Sequence, residues 1–180
     1  MAGIRKQAII SSLLVYIGTL IGAINTYIFV LYFTTDQYGL TRLFTDVGLN
    51  FYIFGSLGVI PVLYKFYPYY QDNLEDKKND LLGRSVVIAS IGFVLVVIAS
   101  YFLEPLFVRK FQAKSALFVD YYYWVVFFAF GLLLFSILEG YAWALQKTVV
   151  SNFMRETGLR LFTLLFILLY WAGFISFHTF

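Results

Sequence analysis

The chain has no cysteine, one histidine and three prolines in 180 residues, and only 13% of it is charged. Without cysteine there is neither a disulfide framework nor a thiolate metal site. The lone histidine, His178, stands near the end of the sequence, and no metal-spaced cluster accompanies it. A phosphate-binding P-loop, a GxSxG elbow and an HExxH zinc motif are all missing. The few acids are scattered, so no pair of carboxylates is placed for acid–base work. Neither a catalytic residue nor a metal or other cofactor is expected, and the chain does not read as an enzyme.

The shortage of charge excludes more. A soluble domain carries roughly 45–50% apolar and about 25% charged residues; here 61% are hydrophobic and 22% aromatic. The same excess of apolar material excludes disorder. A net charge of +3, spread along the chain, does not make a nucleic-acid surface. What the composition describes is an all-α polytopic membrane protein.

What is present is a series of long neutral runs. Uncharged stretches of 29 residues after Lys6, 18 after Asp46, 19 after Arg84, 18 after Asp120 and 20 after Arg160 divide the chain. A hydrocarbon core about 30 Å thick needs about 20 helical residues, with a range of roughly 17–25. Each run qualifies, and each is continuously apolar where a barrel strand would alternate. Five helices are predicted, over 8–33, 43–67, 81–106, 120–141 and 148–174, in one membrane domain covering 1–180. The first run is too long for the core of a cleaved signal. Counting basic residues gives the orientation. With the N-terminus cytoplasmic, Arg5, Lys6, Lys65, Lys77, Lys78, Arg84, Lys147, Arg155 and Arg160 lie inside, against Arg42, Arg109, Lys110 and Lys114 outside. The polar stretch Gln71–Asp80 reads as a solvated cytoplasmic loop, and membrane lipids surround the rest. Tyr67, Tyr69, Tyr70, Tyr121, Tyr122, Tyr123 and Trp124 read as interfacial aromatic belts, and Glu139 as interfacial at the end of the fourth span.

Several features inside the spans bear on function. Pro61, preceded by Gly55 and Gly58, removes a helix hydrogen bond and crowds the carbonyl of Leu57. The result is either a hinge at Gly58 and Pro61 or a static kink. In the first span Gly18 and Gly22 have the spacing that lets helices approach closely. Ser12, Tyr16, Thr19, Ala23 and Thr26 fall on one helical face, with Asn25 beside it. Such a face lines an aqueous cavity or bonds to a neighbouring helix. In the fifth span Asn152, Arg155, Glu156, Arg160 and Thr163 project within an arc of about 140° on a regular helix. Glu156 and Arg160 have the spacing of an intrahelical ion pair. Residues 161–174 span only ~21 Å at the helical rise, so a helix leaving the bilayer near Phe174 carries Arg160 below the surface. A helix running on to Phe180 leaves the same charges at the interface. A charge at mid-membrane costs roughly 2.5–3.5 kcal/mol on insertion scales and usually faces a cavity. Arginine's planar fork also suits phosphate, which makes Arg155 and Arg160 candidate ligands of an anionic passenger.

The order of segments resembles a known family. Phe33-Thr34-Thr35-Asp36-Gln37-Tyr38-Gly39-Leu40 followed by Thr41-Arg42-Leu43-Phe44 resembles the first loop of bacterial polysaccharide flippases. So do Gly55-Ser56-Leu57-Gly58-Val59-Ile60-Pro61 with Tyr64-Lys65-Phe66-Tyr67-Pro68-Tyr69-Tyr70, and Glu139-Gly140-Tyr141-Ala142-Trp143-Ala144-Leu145-Gln146-Lys147 leading into Arg155-Glu156. The likeness covers nearly all of the chain and is to the O-antigen/capsule (Wzx-type) branch of the multidrug, oligosaccharidyl-lipid and polysaccharide exporter superfamily.

That resemblance implies a bacterial inner-membrane protein that flips undecaprenyl-pyrophosphate-linked oligosaccharide by alternating access around a cationic cavity. It implies a place for the fifth helix against the cavity, with Arg155 and Arg160 in the membrane, and a substrate-binding set of Arg155, Arg160, Glu156, Asn152, Asn25 and Thr26. A complete member is more than twice this length, so the chain corresponds to a first helical lobe whose partner would be a C-terminal lobe. Related lipid II flippases carry an Arg-Asp pair where Asn25 and Thr26 stand, which weighs against lipid II as passenger. Relatives that export drugs often have an acid in helix 1, and this span has none. A multidrug-exporter relative and a non-transporting membrane scaffold or assembly subunit are the alternative readings.

Overall fold

A computed structural model describes residues 2–74, 80–112 and 115–174, with 2–5 as backbone alone, and all regular structure among them is helical. The charged middle of the expected loop (residues 75–79), Lys114 and His178 lie outside the described residues.

The first run forms α1, Ala2–Tyr32. Thr34 then caps α2, Thr35–Gly55: its backbone N–H donates to Gln37 Oε1 at 3.0 Å, while its hydroxyl accepts from the Gln37 N–H at 3.3 Å. This reciprocal pair satisfies two amide donors that a helix start leaves open. The second run is broken. α2 ends at Gly55, α3 spans Val59–Asn73, and their axes differ by 48°. Leu57 and Gly58 between them have φ of 47° and 74°, left-handed values that end a right-handed helix whatever follows. Pro61 is therefore not the residue at which the helix bends. It occupies the first turn of α3, where its absent N–H has no intrahelical partner to lose.

The third run forms α4, Leu81–Phe111, which continues past its expected end at 106 and places Arg109 and Lys110 in the last turn, where the helix dipole favours cations. A single turn, α5 (Ala116–Asp120), leads into α6, Tyr122–Ala144. The last run is helical from Thr148 to Trp171 in three pieces: α7 (Thr148–Asn152), a π-helical segment (Phe153–Gly158) and α8 (Leu159–Trp171). Among the described residues, α1, α4 and α6 are long and apolar enough to cross a membrane, and the α2–α3 pair is a fourth candidate if it counts as one span.

The chain divides into two compact units, residues 1–38 with 146–180, and residues 39–145. The second unit contains most of α2 and all of α3 to α6. Its centre is the stripe Tyr122, Val125, Ala129, Leu133, Ile137 and Gly140 of α6, spaced three and four apart and buried. Gly48 meets Phe128 and Leu132, while Gly140 meets Ile60, Leu63 and Tyr64, so α6 runs parallel to the α2–α3 pair. α4 is antiparallel to α6, with Phe93 on Phe130 and the Tyr122 hydroxyl donating to the Ser100 carbonyl at 2.9 Å. Tyr67 and Tyr122 are 6% and 2% exposed, so these two belong to the core and not to an aromatic belt. Tyr69, Tyr123 and Trp124 are exposed as the belt reading expects. Glu139, expected at the end of the fourth span, is buried, and α6 continues past it to Ala144.

In the first unit α1 lies beside the π segment and α8. Phe29 stacks on Phe33, Phe33 stacks on Tyr170, and Ile167 is fully buried among them. Contacts advance together along both helices, from Leu14 with Thr157 to Phe33 with Tyr170. α1 and α8 are therefore parallel.

Candidate functional site

The residues singled out on α1 and on the last helical run meet within the first unit, and glycine decides how closely. A methyl group added at Gly18 would collide with the main-chain carbonyl oxygen of Glu156. One at Gly22 would stand 3.0 Å from Arg160 Nη1 and 3.3 Å from its Cδ. At the first position, α1 touches the backbone of the π segment; at the second it makes a floor for the arginine side chain. Two cross-helix hydrogen bonds hold this approach. Thr157 Oγ1 donates to the Leu14 carbonyl at 3.1 Å, and Asn25 Nδ2 donates to the Arg160 carbonyl at 2.8 Å.

Arg160 Nη2 in turn donates to Glu156 Oε2 at 3.0 Å, with side chains 34% and 27% exposed. The pair is half-buried, with Glu156 on the π segment and Arg160 on a helix otherwise made of Leu, Phe, Ile, Tyr, one Trp and one Thr. A charge-assisted bond of this kind is stronger than a neutral one, and it occupies only part of the five-donor fork of the guanidinium. Arg155 is exposed on the π segment, so residues 152–160 carry two cations and one anion.

The π segment alters the geometry expected from a regular helix. Its wider turn acts as one inserted residue, so the arc of about 140° does not hold across residues 153–158. Asn152 turns toward α1, where it lines an open cleft of about 340 Å³ with Ser11, Ser12, Val15 and Tyr16. A phenol ring, two hydroxyls and a carboxamide face that space.

The hydroxyl face of α1 is open. Ser12, Tyr16, Thr19, Ala23 and Thr26 are all exposed, with Tyr16 at 71%. Thr19 and Thr26 donate to the carbonyls of Val15 and Gly22 on their own helix, at 2.9 and 3.0 Å. Thr163 does the same to Leu159. Of the two uses expected for this face, bonding to a neighbouring helix is not what these threonines do.

Asn25 differs from expectation. It is only 7% exposed and lies on the packed face of α1, not on the open one. One step of 100° separates it from Thr26, enough to carry it from the polar face into the contact with α8. Its part is to hold the turn that carries Arg160. Its Oδ1 is buried and has no hydrogen-bond partner among the described residues. Thr26 stays on the open face. Gly58 stands in the break of the second run, within the other unit, and Pro61 just beyond it.

Sequence reasoning missed Thr157, whose hydroxyl bridges to α1, because a threonine in an apolar run gives no sign of its partner. It also missed the π segment, which ends at Gly158. A Cβ there would lie 3.4 Å from the Phe153 carbonyl. No metal-holding group of three or more His, Asp or Glu residues occurs among the described residues. Comparison of the chain with protein-family models, with curated proteins and with solved structures finds no match.

Proposed function

We propose that the chain is a helical lobe of a membrane transporter that carries a lipid-linked oligosaccharide, attached through pyrophosphate, from the inner to the outer leaflet, as the resemblance to the polysaccharide flippases implies. The observation that carries this reading is the half-buried Arg160. Its guanidinium is kept on a floor of α1 and retains N–H donors beyond those used by Glu156. A positive group in an apolar helix is costly unless it meets an opposite charge or water; Glu156 meets it through one N–H, and the donors left over suit a diphosphate. Arg155 adds a second cation nearby. The cleft between Tyr16 and Asn152 has the groups that bind sugars, a ring face for stacking and polar side chains for hydroxyls. The open hydroxyl face of α1 is a wettable wall that costs little to keep in a membrane.

Topology supports the same reading. If α1 and α8 both cross, their parallel course calls for an odd number of crossings between them, and the α2–α3 pair taken as one span, α4 and α6 are three candidates. The reading takes the last helical run as a fifth crossing, and the distribution of basic residues favours the N-terminus inside.

The test is Arg155→Gln with Arg160→Gln in the full-length gene product, expressed in cells lacking their own copy. Surface polysaccharide should fall at least tenfold while the protein stays in the membrane at normal amount. Unchanged polysaccharide with both arginines neutralised overturns the assignment.

A further inference from the structure

We propose that Glu156 is the resident counter-anion of the Arg160 site: its carboxylate occupies the guanidinium when no passenger is bound and gives way to the passenger's phosphate. The inference rests on the reading of Arg160 as a phosphate ligand and assigns Glu156 the opposite of a ligand's role.

The geometry separates what is fixed from what can move. The main chain of Arg160 is held by Asn25 at 2.8 Å, and its side chain rests on Gly22. The main chain of Glu156 is equally held, since its carbonyl lies against Gly18 and the adjacent Thr157 bonds to Leu14. The Glu156 side chain is left to swing, and a single 3.0 Å bond joins it to Nη2. Rotation about its own side-chain bonds releases the carboxylate without disturbing either helix.

The electrostatics require such an arrangement. An empty site with an unpaired guanidinium in an apolar helix is penalised, and Glu156 removes that penalty one helical turn away. A phosphate that takes the guanidinium bidentately needs two parallel N–H donors, which brings its oxygens to where the carboxylate stands. Like charges at contact repel, so the two anions exclude one another. Glu156 thus weakens binding of the passenger and hastens its departure, which a transporter requires and a high-affinity receptor does not. The two anions exchange at one cation, and no proton or covalent bond is involved.

The experiment measures binding of farnesyl pyrophosphate to the detergent-solubilised full-length protein, with farnesol as the uncharged control and inorganic pyrophosphate to separate the lipid from the phosphate as the source of affinity. Glu156→Gln keeps the shape and removes the charge. It should tighten farnesyl pyrophosphate about three- to tenfold, the range expected when one half-screened charge repulsion is lost, and leave farnesol unchanged. Tightening of inorganic pyrophosphate by the same factor places the competition at the phosphate and supports the exchange. Glu156→Asp, which keeps the charge but withdraws it by one methylene, gives a smaller tightening and stands in if the Gln variant is poorly folded. Weaker or unchanged binding in both variants, with Arg160→Gln abolishing binding, overturns the counter-anion role and leaves the arginine assignment standing. Absence of farnesyl pyrophosphate binding even to the unaltered protein overturns both.

Discussion

Single residues decide how α1 meets the last helical run, and glycines show this most directly. Gly18 has no space for a side chain because the obstacle is backbone. Gly131, in the middle of α6, faces nothing within 4 Å. Gly18→Ala should therefore cost about 1–3 kcal/mol by overpacking, whereas Gly131→Ala should stabilise by about 0.5–1 kcal/mol through helix propensity. Thermal unfolding of the two variants in detergent checks both signs; equal effects would mean that the Gly18 contact is absent. The spacing of Gly18 and Gly22 was legible in the sequence, as was the Glu156–Arg160 pair, because both depend only on the helical repeat. The role of Asn25 was not. Which of two adjacent residues on a helix is packed and which is open depends on where the neighbour lies, and a sequence does not contain that direction.

At the scale of elements, the two irregular segments have different causes. The break between α2 and α3 lies in the left-handed backbone of Leu57 and Gly58, three and four residues before Pro61. Gly58 has open space around it but a φ of 74°. Gly58→Ala should therefore cost about 1–2 kcal/mol from conformation alone. Pro61→Ala, in a first helical turn, should leave the angle between α2 and α3 unchanged. Pairs of spin labels on the two helices measure this angle; straightening in Pro61→Ala would restore the proline as the cause. The π segment is the other irregularity. It rotates Asn152 relative to Arg160, and it places Thr157 against α1. It carries Glu156, whose carbonyl lies against Gly18, and its wider turn is why an arc drawn on a regular helix failed there.

For the molecule as a whole, the natural absence of cysteine makes topology directly measurable. Single cysteines at Lys6, Asp80 and Lys147 should react with an impermeant reagent only after the cytoplasmic side is opened. Cysteines at Thr35 and Ser115 should react in intact cells. Labelling of positions 35 and 80 from the same side would mean that the α2–α3 pair does not cross and would reduce the count of spans. Composition and run length determined by themselves that the protein is helical and rich in membrane-spanning candidates, since the thickness of a bilayer and the cost of charge in it act on each segment separately. Tertiary structure decided which α1 face packs, that Tyr67, Tyr122 and Glu139 are buried, and that Asn25 holds Arg160 in place. These outcomes depend on contacts between segments far apart in the chain. Hydropathy is a property of one segment, whereas the orientation of a side chain is a property of two.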